Sequence, residues 1–339
     1  GDVYKRQAYI WMGDEWWPQN SKSFVGLHAR WDSQFYVDIA ENGYSCPPDT
    51  LCNAVFFPLY PFLIKLLGSL PGINYYFAGF LISNLAFFGA VIVFYNLILL
   101  KYSSRIAKKA IWFLLIFPTS FFFTAIYTES LFLFLSLLCF YFTFKNKWKM
   151  SGIFGLLASL TRVTGALLFI PMLWEFFRKN KKLSPQIGYL SLPLLGPLAF
   201  FFYHWKKFRD FFLFLHTEKL WGRSFFSLNW DHFKLLTGPA KVNLFLDLLI
   251  LVFVLVSIIF VWLRLRKSYA LYMGMTLAIP LSTGTLMSIN RYVLVLFPFY
   301  ILMALWAEKN PEFEKIYPTV SILLLGLYTI LFVNNYWAG

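Results

Sequence analysis

The feature that most constrains this chain is a succession of apolar stretches of bilayer-crossing length: residues 75–100, 110–124 with 126–144, 187–205, 243–263, 269–288, 291–307 and 317–334. A run of about 17–25 apolar residues crosses the hydrocarbon core as a helix. Backbone amides in lipid must find their partners within the segment, so the expected fold class is an all-α polytopic integral membrane protein. Composition agrees, because with 59% hydrophobic and only 14% charged residues there is too little polar side chain to cover a soluble domain of 339 residues. No Pro/Gly/Ser-rich linker separates unlike halves, and residues 1–339 read as a single membrane domain.

The net charge of +14 does not imply nucleic acid. Lys and Arg fall in short clusters between apolar runs, where cytoplasmic loops carry them, and membrane lipids are the expected surroundings. Residues 151–177 decide the topology. They are long enough to cross, but Thr161-Arg162-Val163-Thr164-Gly165 sets a cation and a glycine at their middle, and basic clusters lie beyond both ends. If the segment turns back, the basic loops 101–109, 145–149, 178–182 and 264–267 all lie in the cytoplasm. We therefore expect a broken, re-entrant helix pair. Residues 1–53, the turn at 119–130 and the loop 206–242 are then extracytoplasmic, with Ser288-Ile289-Asn290-Arg291-Tyr292 at the same face.

Residues 54–70 follow Phe56-Phe57-Pro58-Leu59-Tyr60-Pro61, whose prolines interrupt a helix start, so an interfacial or partly inserted helix is expected there. The aromatic stripe itself reads as lipid-facing packing or as the wall of a groove for an acyl or prenyl chain. Cys46 and Cys52 flank a short polar turn and would form a disulfide in an oxidising compartment, or else remain free thiols. Residues 1–7, Gly-Asp-Val-Tyr-Lys-Arg-Gln, read as translated adapter sequence, and a first transmembrane helix is expected ahead of this chain.

Several polar groups stand out against this background. Asp32, in His28-Ala29-Arg30-Trp31-Asp32, is either the N-cap of a helix through Ala40 or a general base whose proton affinity partial desolvation raises. Glu129, in Thr124-Ala125-Ile126-Tyr127-Thr128-Glu129, interrupts apolar sequence; such an acid faces a cavity or a partner, so it either pairs with a cation such as Arg162 or contacts substrate. Arg162 and Arg291 lie within or beside apolar segments with no evident acid partner, and a guanidinium matches phosphate oxygens, so an anionic ligand is expected; snorkelling is the other reading of Arg291. No Walker loop or dinucleotide fingerprint is present, and the histidines at 28, 204, 216 and 232 lack metal-ligand spacing. No cofactor is expected with certainty; a divalent cation held by Asp32, Asp38 or Glu41 stays open.

Together these segments resemble the PIG-V-like mannosyltransferases, membrane glycosyltransferases of the GT-C fold. The resemblance lies in RWDSQFYVDIAENGY at 30–44, NAVFFPLYPFLIKLL at 53–67, TAIYTESLFLFLSL at 124–137, LTRVTGALLFIP at 160–171 and NRYVLVLFPFYILMA at 290–304, in that order. It implies a GT-C-type multi-helix transmembrane bundle with an extracytoplasmic catalytic loop and a polyprenyl- or dolichyl-phosphate sugar as donor. A lipid, glycan or protein is the implied acceptor, and Asp32 the catalytic base. Arg30, Trp31, Glu129, Arg162, Asn290, Arg291 and Tyr292 are the expected substrate-binding residues. The membrane would be the cell membrane in a prokaryote and the endoplasmic reticulum in a eukaryote. A transporter or flippase of lipid-linked saccharides is the alternative, although no internal repeat of fixed period is evident. A transporter also has no reason to gather Trp31, Asp32, Asp38 and Glu41 outside the membrane.

Overall fold

The computed structural model describes residues 23–47, 52–180, 184–223 and 239–336, with side chains from residue 245 onward in the last segment. Residues 1–7, His232 and most of the second half of the 206–242 loop lie outside the described residues. All described regular structure is helical. The N-terminal part comprises α1 (Phe24–Leu27), α2 (Ser33–Asn42), α3 (Leu59–Gly68) and α4 (Tyr75–Leu99). Then come α5 (Ser104–Leu115), α6 (Glu129–Phe144), α7 (Trp148–Thr161) and α8 (Phe169–Lys179). The chain continues through α9 (Ile187–Leu190), α10 (Leu192–Phe208), α11 (Leu213–Leu220) and α12 (Pro239–Arg264), and ends with α13 (Lys267–Ser282), α14 (Ile289–Leu294), α15 (Phe297–Ala307) and α16 (Pro311–Val333).

Among the described residues three helices are long and apolar enough to cross a membrane: α4, the Phe245–Arg264 part of α12, and α16. The protein is an integral, multi-pass membrane protein. The helix α4 begins cleanly because the Asn74 side chain accepts a hydrogen bond from the Phe77 amide at 2.8 Å, capping amides that no helical carbonyl can reach. Four other expected spans are interrupted instead of continuous, and one of them, 187–205, breaks at Ser191 between α9 and α10. The 110–124 stretch stops at Leu115 and passes through a 3-10 turn, Ser120–Phe123, before α6 starts at Glu129. The 269–288 stretch ends at Ser282, two residues after Pro280, and the 291–307 stretch breaks at Val295 and Leu296 ahead of Pro298. Proline removes an amide donor and clashes with the preceding turn, so helices stop beside it.

The segment 151–177 turns back, as expected. The start of α7 and the end of α8 meet: Trp148 packs edge-on against Phe176 with centroids 5.1 Å apart, and Lys179 Nζ donates to the carbonyl oxygens of Thr143 and Phe144 at 3.2 and 3.0 Å. Between them the chain breaks at Arg162 and runs through a 3-10 turn, Val163–Leu168. Gly165 permits the reversal. A Cβ there would lie 2.5 Å from the Ala158 carbonyl oxygen, so only a residue without one can press this close to the α7 backbone.

Two ends of the bundle follow. At one, Arg266 stacks 4.2 Å from the Phe144 ring centroid, and a shallow pocket joins Lys101, Tyr102, Phe144 and Arg266. Lys109 reaches Glu308 and Glu314 at 2.8 Å on this side. This end gathers the basic clusters that the positive-inside rule expects in the cytoplasm. At the other end the N-terminal loop, the 119–128 turn and the 288–292 turn converge. The Ile126 amide donates to the His28 carbonyl at 3.0 Å and the Tyr127 hydroxyl to the Arg30 carbonyl at 2.9 Å.

The aromatic stripe departs from the lipid-facing reading. Phe56, Phe57 and Tyr60 are buried inside the protein. Phe56 stacks on Phe35 with centroids 5.1 Å apart, and the Tyr60 hydroxyl reaches the Gly79 carbonyl at 3.0 Å and Ser83 Oγ at 2.7 Å. A buried phenol needs such partners, which lipid cannot supply. The stripe therefore fastens α3 to α4 and to the Asp32 loop.

Candidate active site

Asp32 stands at the N-cap position of α2, yet its side chain makes no capping bond. Its Oδ2 accepts from Arg291 Nη1 at 2.6 Å instead. The capping capacity of the residue is thus spent across the site. The turn that aims it is strained: Trp31, immediately before it, has φ of 54°, a left-handed conformation uncommon outside glycine, asparagine and aspartate. A second strained turn aims the partner, because Ser288, with φ of 64°, opens the short α14 that carries Arg291. Strain of this kind costs about 1–3 kcal/mol per residue and persists where surrounding contacts over-determine it.

Behind this pair lies Glu129, in the first turn of α6, where the helix dipole favours an acid. Its Oε1 accepts from Arg291 Nε and from Arg162 Nη1, both at 2.7 Å. Arg162 sits at the break between α7 and α8, at the C-terminal end of α7, where the dipole favours a cation. Its guanidinium stacks 4.7 Å from the Tyr292 ring centroid, and that of Arg291 lies 4.6 Å from the Tyr127 ring. Both arginines are therefore held face-on by aromatics and edge-on by carboxylates.

The four charges form one chain, Asp32–Arg291–Glu129–Arg162. Exposure is lowest inside it and higher at both ends: the Glu129 side chain is 0% exposed, Arg291 6%, Arg162 11% and Asp32 15%. Asp32 is the member an incoming group reaches most readily. The expectation that the two arginines lack acid partners is overturned: each is paired, and snorkelling does not describe Arg291. Glu129 resolves its own alternatives by pairing with both arginines through one oxygen. Its other oxygen, Oε2, is buried with no hydrogen-bond partner among the described residues, as is Oδ1 of Asn290, the residue before Arg291.

The remaining expected residues fall nearby with different tasks. Arg30 and Trp31 are buried in the same loop, Arg30 giving its carbonyl to Tyr127. Asn290 donates from Nδ2 to Asp247 Oδ1 on α12. Asp38 is occupied, accepting from Asn42 Nδ2 at 2.9 Å and Asn53 Nδ2 at 3.0 Å, which ties α2 to the following loop. Burial, with Asp38 nearby, raises the pKa of Glu41. No group of three or more His, Cys, Asp or Glu able to hold a metal occurs among the described residues. Cys46 and Cys52 are joined in a disulfide across a Cα–Cα distance of 4.4 Å, closing the loop that follows α2.

Three residues near the site go beyond those the sequence singles out. Asp247 is the lone acid of the 243–263 run, a signal that marks it in retrospect. Trp221 and Arg223 lie in the long outer loop. The Trp221 ring packs against Phe35 and Phe56 at 5.2 and 5.8 Å, and its Nε1 donates to the Cys52 carbonyl at 3.4 Å. Nothing in the local sequence foretells these contacts.

Residues 17–172 match the family model described as Mannosyltransferase (PIG-V). No curated protein matches the chain. Among solved structures, ArnT from Cupriavidus metallidurans, crystallised with undecaprenyl phosphate, is similar with a TM-score of 0.56 at 14% identity. The similarity covers 89% of this chain, which spans 58% of the length of ArnT. Over residues 17–172, then, the chain is similar to the PIG-V mannosyltransferases, and it carries that resemblance on a transmembrane helix bundle of GT-C type.

Proposed function

We propose that the protein is a membrane glycosyltransferase, a mannosyltransferase, that moves a hexose from a polyprenyl-phosphate sugar to an acceptor hydroxyl at the extracytoplasmic end of the bundle. The observation that carries this reading is the Asp32–Arg291 pair at 2.6 Å, a carboxylate and a phosphate-matching guanidinium side by side at the opening of a buried polar cluster. The family match over residues 17–172 supports the sugar, and the fold shared with ArnT, a protein seen bound to undecaprenyl phosphate, supports the lipid carrier.

The chemistry asks little more of the chain. Asp32 accepts the proton of the acceptor hydroxyl as its oxygen bonds to the anomeric carbon. The bond from that carbon to the phosphate oxygen breaks and its electron pair leaves with the lipid phosphate. Arg291 meets the charge that develops there. Attack from the face opposite the leaving group inverts the anomeric centre. A positioned base contributes about 10²–10⁴-fold and a preorganised donor to the leaving oxygen about 10²–10³-fold. Glu129 and Arg162 keep Arg291 in place, while Glu129 Oε2 and Asn290 Oδ1 are open to sugar hydroxyls.

The test is transfer of labelled mannose from polyprenyl-phosphate mannose to candidate lipid, glycan and peptide acceptors by the purified protein and by Asp32→Asn. Transfer by the wild type and its loss in the variant are expected. Equal transfer by both would remove Asp32 from the mechanism.

A further inference from the structure

The resting site is self-neutralised. Arg291 and Arg162 are matched one for one by Asp32 and Glu129 through bonds of 2.6–2.7 Å, so the two cations that a lipid phosphate would meet in this network are already strongly engaged. A further guanidinium stands at the mouth on different terms. Arg223 follows α11 through a turn in which Gly222 has φ of 75°, and its amide donates back to the Glu218 carbonyl at 3.0 Å. The neighbouring Trp221 is docked on Phe35 and Phe56 and on the Cys52 carbonyl. Phe35 is on the first turn of the helix that Asp32 begins, so the docking fixes Arg223 relative to the base.

Among the described residues the Arg223 side chain has one polar contact, Nη1 to Glu218 Oε2 at 3.3 Å, and is 19% exposed. That bond is longer than any in the inner network, and the guanidinium keeps donors to spare. Burial lowers the Arg223 pKa, but Glu218 and, beyond it, Tyr292 and Asp32 raise it further, which puts Arg223 within electrostatic reach of the site as well as of its own partner.

We propose that Arg223 is a donor-binding residue: it transfers from Glu218 to the phosphate of the lipid-linked sugar, supplying the cation that the neutralised inner network lacks. Glu218 then acts as a competitor that parks the guanidinium between turnovers. This inference rests on the polyprenyl-phosphate reading above.

The experiment measures binding of a fluorescent polyprenyl phosphate to the full chain in detergent, for the wild type and for Arg223→Gln, Arg223→Lys, Glu218→Gln and Arg291→Gln, with thermal unfolding as a check on folding. Arg223→Gln is expected to weaken binding about tenfold and Arg223→Lys to weaken it less. Glu218→Gln is expected to tighten it severalfold, an effect of opposite sign that loss of a structural contact would not produce. If Arg291→Gln weakens binding while Arg223→Gln does not, or if Glu218→Gln weakens it too, Arg223 has no donor-binding role and the donor assignment stands. If neither arginine variant changes binding, the polyprenyl-phosphate reading itself falls.

Discussion

Arg291 donates Nη1 to Asp32 at 2.6 Å across 259 residues of sequence, so in this conformation the proposed base is bonded to the group proposed to receive the leaving phosphate. On the proposed mechanism donor and base compete for one guanidinium. A phosphate that took Arg291 would release the Asp32 carboxylate toward the acceptor, coupling arrival of the donor to freeing of the base. Asp32→Asn should consequently do two things. Transfer should fall by about 10²–10⁴-fold. Binding of polyprenyl phosphate should grow tighter, because Arg291 no longer has an anionic partner at that position. Titration of the variant with a fluorescent polyprenyl phosphate checks this, and weaker binding than wild type would contradict it.

Glu129 carries a different prediction. It is fully buried and holds two arginines through one oxygen. Glu129→Gln leaves two guanidiniums facing each other with a single remaining carboxylate, and removal of one partner from a buried ion pair costs about 3–5 kcal/mol. A marked drop in the unfolding temperature in detergent is expected, larger than for Asp32→Asn, whose side chain is the most exposed of the four. A variant as stable as wild type would show that the network is not what holds this end of the bundle.

Gly165 sits where the chain turns back upon α7. An added methyl would come 2.5 Å from the Ala158 carbonyl oxygen, and backbone cannot move aside cheaply. Gly165→Ala should therefore cost about 1–3 kcal/mol by overpacking, and should shift Arg162, three residues earlier, away from Glu129. Thermal unfolding together with donor binding reads both effects. Gly326, whose Cβ would meet nothing within 4 Å, supplies a matched control expected to be near neutral.

How much of this could be read from residues alone divides along physical lines. The membrane class and the continuous spans α4, α12 and α16 are legible because bilayer thickness is a length that sequence records directly, whereas apolar runs broken by turns and prolines look the same in composition. The returning pair α7 and α8 is legible because Arg162 and Gly165 are both improbable inside a simple span, and the basic clusters beyond it need one side. The wall formed by Phe56, Phe57 and Tyr60 is not, since lipid and a protein core are equally apolar and a stripe of aromatics suits either. Least legible is the pairing. Asp32, Glu129, Arg162 and Arg291 each stand out, but which acid meets which arginine depends on helices brought together by packing from distant parts of the chain. Arg223 and Trp221 carry no local signal.

Asp247 offers the last test, because its role is to hold and not to react. Its Oδ1 accepts from Asn290 Nδ2, and Asn290 stands between strained Ser288 and Arg291. Asp247 thus anchors the turn that points Arg291 at Asp32, working at one remove from any substrate. In Asp247→Leu the Asn290 amide loses its acceptor in a buried place, at a cost of about 1–3 kcal/mol. Asp247→Asn keeps a carbonyl oxygen for the same bond. The expected outcome is lower stability and weaker donor binding in Asp247→Leu, both largely restored in Asp247→Asn. If the asparagine variant behaved like the leucine variant, the negative charge of Asp247, and not its hydrogen bond to Asn290, would be what the site requires.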